Sequence, residues 1–104
     1  MVFTGNEDHK ITLAEAKNLT ANYRLSAGTG AQLGGYFGKS AILDILSQST
    51  CVGMRIYYAR LDDGAPTFVL CGVKADGDDM VGGELAEIII PCPPNCPSSH
   101  ELSG

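Results

Sequence analysis

Cys92, Cys96 and His100 are the residues of this chain whose types and spacing could do chemistry. They form a Cys-x3-Cys-x3-His pattern that runs out of the proline-stiffened segment Pro91-Cys92-Pro93-Pro94-Asn95-Cys96-Pro97. Thiolates and an imidazole are good Zn²⁺ ligands, and a gap of two to four residues between cysteines is usual in a structural zinc site. A complete site needs a fourth ligand, for which Cys51 and His9 are the soft candidates. The same spacing permits a disulfide between Cys92 and Cys96, although so short a loop removes little entropy from the unfolded chain. The third reading is a pair of partly buried free thiols in a docked tail. Nothing basic adjoins the pair to lower a thiol pKa, which argues against a redox role. The spacing allows all three states; a cytosolic setting disfavours the disulfide, and the free thiols are the expected one.

The other candidate groups converge less. Asp76, Asp78 and Asp79 look like a fragment of a Ca²⁺ loop, but Glu84 is a poor substitute for the distant glutamate such a loop requires. Asp62 and Asp63 fall at the opposite end of the expected sheet, so each acidic group reads as a solvated turn. Gly38-Lys39-Ser40 lacks the upstream glycine of a phosphate loop. His9 and His100 are the conventional bases, and both lie in terminal arms. Tyr23, Arg55, Tyr57 and Tyr58 can line a pocket, although an aromatic strand face is more often core or interface. With no convergent acid, base and nucleophile, the chain reads as a non-enzyme.

The elements that must position these residues belong to one small domain of 104 residues. Hydrophobic residues make up 44% of the chain, and glycine is abundant while tryptophan is absent. The core is therefore expected to be Ile, Leu, Val and Ala, with much backbone in turns. The formal charge of −5, with scattered Lys and Arg, argues against nucleic acid and against an anionic membrane surface as partners. Residues 1–10 are polar, and no apolar run is long enough to span a bilayer. A cytoplasmic location follows as the expectation, where thiols normally stay reduced.

Residues 1–10 read as a loose N-terminal arm, 11–91 as a single α+β domain and 92–104 as a Pro/Cys tail. Thr12 with Glu15 makes a capping box that starts a first helix, and Leu13, Ala16, Leu19 and Tyr23 recur on one face expected to be buried. Gly28 is placed to end it. Residues 28–38 read as a mobile glycine-rich connection from which Tyr36 and Phe37 plug back onto the core. A second helix, from Lys39 or Ser40 to Ser49, carries Ile42, Leu43, Ile45 and Leu46 and is expected to be well buried. Residues 51–61 then alternate as a strand, Asp62-Asp63-Gly64-Ala65 is a hairpin turn, and 66–74 return. A third short strand is expected over 85–90. Cys71 should lie across from about Ile56, which leaves Cys51 roughly 17 Å away and out of disulfide reach. The fold expected is α+β: two N-terminal helices packed on a small three-stranded antiparallel sheet, in the order α-α-β-β-β, with an extended Pro/Cys tail.

Four stretches together, Ile11-Thr12-Leu13-Ala14-Glu15-Ala16, Asn22-Tyr23-Arg24, Gly53-Met54-Arg55-Ile56-Tyr57-Tyr58 and Cys92-Pro93-Pro94-Asn95-Cys96, resemble a group of small bacterial hypothetical proteins. The Gly-x-Arg-Ile-Tyr-Tyr strand and the Cys-Pro-Pro-x-Cys tail are the most specific parts. The resemblance spans most of the chain. It supports the fold and implies no activity.

The function expected is a structural or interaction module that self-associates into a homo-oligomer or fibre. A small sheet has edges that this chain barely protects. Ile88, Ile89 and Ile90 follow a Gly82-Gly83 hinge and can add to a neighbour's sheet edge. Tyr57 and Tyr58 point to opposite faces of one strand, so one of them is expected at a surface or interface. No cofactor is expected on this reading. The alternative is a small metal- or thiol-binding protein that uses Cys92, Cys96 and His100, with zinc as the metal.

Overall fold

The computed structural model describes residues 2–87 and 89–104. Among them the elements are α1 (Leu13–Ala27), β1 (Gly34–Tyr36), α2 (Lys39–Leu46), β2 (Cys51–Arg60), β3 (Pro66–Lys74), β4 (Leu85–Ala86) and β5 (Ile90–Cys92). The chain is α+β, with a three-stranded antiparallel sheet ordered β2-β3-β4 and a separate two-stranded sheet of β1 and β5. It divides into two compact units. One comprises residues 1–7 and 37–89, the other residues 8–36 and 90–104. None of its helices is long and apolar enough to cross a membrane, among the described residues.

In the first unit, β2 and β3 form a long hairpin with Arg55 opposite Cys71, Tyr57 opposite Val69 and Tyr58 opposite Phe68. The turn closes through Leu61 N–H to the Ala65 carbonyl and Gly64 N–H to the Leu61 carbonyl, both at 2.8 Å. Gly64 sits at φ 91°, a conformation that favours glycine. Strand β3 is central, so both of its edges are paired, and both of its faces carry buried residues. Leu70 and Gly72 are buried on one face, and Thr67, Cys71 and Val73 on the other. Helix α2 lies on β2 and β3 and contributes Ile45, which is 1% exposed.

Gln48, just past α2, holds this packing together. Its Nε2 donates to the Ile45 carbonyl and its Oε1 accepts from the Glu84 amide, each at 2.8 Å. A Cβ on Gly72 would lie 2.9 Å from Gln48 Nε2 and 3.0 Å from Cys51 Sγ, so a larger residue there would have to displace the Gln48 amide. The N-terminal residues are docked rather than loose, with Phe3 N–H donating to the Ala75 carbonyl at 2.8 Å.

The second unit contains α1, β1, β5 and the C-terminal residues. Helix α1 starts at the Thr12/Glu15 capping box and stops at Gly28, at φ 84°, as its sequence indicates. In the two-stranded sheet Gly34 faces Cys92, Gly35 faces Pro91 and Tyr36 faces Ile90. Pro91 lacks an N–H, and a ribbon whose strands each pair on one edge tolerates that loss.

Four expectations need correction. The element order is α-β-α-β-β-β-β, because residues 34–36 form a strand instead of remaining a connection, and Tyr36 is exposed. The expected 85–90 strand is divided: Leu85 and Ala86 pair with Cys71 and Leu70, whereas Ile90 pairs with Tyr36 in the other sheet. Only α2 belongs to the same unit as the three-stranded sheet. Helix α2 is half exposed at Leu43 and Leu46, and α1 buries no side chain fully, since Leu13, Leu19 and Tyr23 all remain exposed. Amphipathic spacing gives a helix one apolar face, but the neighbours that cover this face come from elsewhere in the chain.

Candidate functional site

The first candidate is the outer edge of β2 and the side chains it carries. Nine of its ten residues pair with β3 and with no other strand, so from Gly53 onward one row of main-chain donors and acceptors has no strand beside it among the described residues, while Val52 lies against Gly5 of the N-terminal segment. A ten-residue strand spans about 33 Å, whereas the eight-residue α2 spans about 12 Å. The helix therefore leaves much of the hairpin uncovered. Ile56 is 58% exposed and Tyr58 92%, with the Tyr58 ring 5.9 Å from that of Phe68 on the adjacent strand.

The opposite face of the same strand carries a polar cluster. Arg55 forms an ion pair with Asp79, and the Tyr57 hydroxyl donates to the other oxygen of that carboxylate. Arg55 Nη1 also donates to the Gly77 carbonyl at 3.1 Å. The Phe3 ring lies 5.9 Å from the guanidinium carbon, within cation–π range. The Asp79 carboxyl is held below the usual range by the Tyr57 hydrogen bond first and by Arg55 next. The same contact with Asp79 raises the Tyr57 phenol and the Arg55 guanidinium. Burial raises the Cys71 thiol, with Asp79 adding to the shift, so this free thiol stays protonated. The cluster thus orders the hairpin and presents no activated nucleophile.

Sequence reasoning placed Asp79 in a solvated turn and missed this partnership. Gly77 at φ 93° turns the chain tightly, and Asp79 returns beside Val73 as an antiparallel bridge. That places its carboxylate on the face shared by Arg55, Tyr57 and Cys71. The Asp76-Gly77 turn signal was visible, but the register of the returning chain was not. Cys71 faces Arg55, one position from the expected Ile56, and Cys51 and Cys71 are both free, as expected.

The C-terminal segment is distributed differently from the expectation. Ile89 is buried, Ile90 is paired with Tyr36, and Ile88 lies outside the described residues. Tyr57 and Tyr58 do occupy opposite faces, both exposed.

Cys92 and Cys96 form a disulfide, with Cα atoms 4.7 Å apart. This corrects the expectation of two free thiols: the folded chain brings the two cysteines within bonding distance. Zinc takes cysteine as the thiolate, so a metal site here requires prior reduction. No group of three or more His, Cys, Asp or Glu side chains is disposed to hold a metal ion, among the described residues. His100 and Cys96 nevertheless line one cavity of about 340 Å³ in the second unit, together with Arg24, Leu33, Pro93 and Ser103. The Arg24 guanidinium is fixed in the wall by donating to the Leu102 carbonyl at 2.7 Å.

No protein-family model, curated protein or solved structure matches this chain.

Proposed function

We propose that the chain is a non-enzymatic module that self-associates, two copies pairing antiparallel through their β2 edges. One observation carries the reading: a ten-residue strand paired on a single side, with Ile56 and Tyr58 exposed along it. Natural sheets protect such edges with proline, lysine, bulges or covering segments. Between Met54 and Tyr58 this one has neither proline nor lysine, and its register irregularity lies at the far end, between Cys51 and Gly53.

An antiparallel pairing of one strand with its own copy is self-complementary, as a two-fold dimer demands. With the axis at Ile56, that side chain faces its symmetry mate and Tyr58 faces Met54, and the join ends short of Val52, against which Gly5 already packs. No like charges meet, and aliphatic and aromatic pairs stabilise the join. Strand β5 supports the reading less, because Ile90 already pairs with Tyr36.

Sedimentation velocity on the full chain tests this. The wild-type protein should sediment as a dimer at micromolar concentration, and Ile56→Lys should be monomeric with an unchanged circular dichroism spectrum. Dissociation by Ile90→Lys with Ile56→Lys still dimeric would move the interface to β5. A monomeric wild type would end the proposal. A lasting Cys92–Cys96 disulfide suits an oxidising compartment.

A further inference from the structure

The C-terminal disulfide and the cavity beside it are not used by an edge-to-edge dimer. The two cysteines differ in their surroundings. Cys96 is exposed and lines the cavity, whereas Cys92 is half-buried in β5 opposite Gly34, and its carbonyl accepts from Leu33 N–H at 2.7 Å. A small molecule in the cavity therefore lies beside Cys96, whereas Cys92 is not part of the wall. The cavity volume of about 340 Å³ lies at the lower end for small-ligand sites. Its wall is largely apolar (Leu33, Pro93, Ala31) and carries one permanent cation, Arg24. Arg24 Nη1 donates to the Leu102 carbonyl and Gly104 packs against the Nε side, which leaves the Nη2 side of the guanidinium for a bound anion among the described residues. His100 also lines the cavity.

We propose that this cavity receives a small thiol bearing a carboxylate and exchanges it with the disulfide, leaving the thiol joined to Cys96. The carboxylate pairs with Arg24 while the ligand's thiolate attacks Cys96 Sγ. A new S–S bond forms there, and the Cys92–Cys96 bond breaks with its electron pair passing to Cys92 Sγ. The resulting Cys92 thiolate takes a proton from water. The ligand sulfur is oxidised and Cys92 is reduced, so no further oxidant is required. The product is a stoichiometric, reversible modification of the protein. It leaves the closing cysteine of β5 free to expel the ligand again.

The test compares two small thiols of opposite charge, 3-mercaptopropionate and cysteamine, on the oxidised full-length protein. Reactions are quenched with N-ethylmaleimide, and adducts are located by peptide mapping. An oxidised peptide of residues 90–97 reports the intrinsic reactivity of each thiol. Relative to that peptide, the protein should favour 3-mercaptopropionate over cysteamine by about tenfold at low salt, the range of one charge-assisted contact. The preference should shrink at high ionic strength. It should vanish in Arg24→Gln and survive in Arg24→Lys. The mercaptopropionate should be found on Cys96 and the maleimide on Cys92. A preference equal to that of the peptide, no response to salt in the wild type, or an adduct chiefly on Cys92 would each overturn the proposal. The salt series needs no variant, so the result does not depend on how Arg24→Gln folds.

Discussion

Asp79 shows how much one side chain can organise in a small sheet. Its two oxygens accept from Tyr57 and Arg55, which reach it from β2 across the intervening β3. Both contacts favour the carboxylate over the acid, so its folded pKa lies below the unfolded value. Stability from this source is therefore complete above about pH 4 and is lost as the pH falls through the lowered folded value. Tyr57 shifts the other way, because its neutral O–H donates to the carboxylate. Its contribution is complete below about pH 10 and is lost as the pH rises through the raised folded value. Asp79→Asn should lower the urea midpoint at pH 7, and the gap from wild type should close below pH 4. A gap that stayed constant from neutral to strongly acidic pH would show that the charge is not what Asp79 contributes.

The two helices illustrate different sources of stability at the scale of the element. Helix α1 has a complete capping box, a basic Arg24 in its last turn and a glycine stop, but none of its side chains is fully buried. Helix α2 has no side-chain cap and instead buries Ile45. Local signals should therefore matter more in α1. Thr12→Ala should cost about 1 kcal/mol and be read as faster amide exchange within residues 13–20. Unchanged exchange there would mean that α1 is held by its neighbours after all. The edge of β2 is the corresponding question for a strand. Its exposure is a property of the element's length against the helix that covers it, so a single inserted charge at Ile56 is the appropriate probe.

At the scale of the whole molecule, the chain returns late in its length to join a unit begun near its start. Strand β5 pairs with β1 across more than fifty intervening residues, and the Cys92–Cys96 bond closes the loop that follows it. Loop-closure entropy puts the stabilisation from so short a ring at about 2 kcal/mol. Reduction should therefore raise amide exchange at Leu33 and Asn95, whose N–H groups donate to the carbonyls of Cys92 and Pro91. Unaltered protection at both amides after complete reduction would show that the β1–β5 ribbon does not depend on the bond.

What the sequence by itself determined is what neighbouring residues decide among themselves. The capping box at Thr12, the stop at Gly28, the turn after Leu61 and the return strand Pro66–Lys74 all rest on contacts within a few positions, and all are legible in the order of side chains. The tertiary structure alone decided which groups meet across long separations. Arg55 and Tyr57 find Asp79 at separations of 24 and 22 residues, and only the register of the returning chain selects that carboxylate over Asp76 or Asp78. The same holds for the division of residues 85–92 between two sheets, the exposed apolar faces of both helices and the choice of a disulfide at Cys92 and Cys96. An apolar residue records that it favours burial, and a cysteine that it can pair. Whether either happens depends on what the rest of the chain brings beside it.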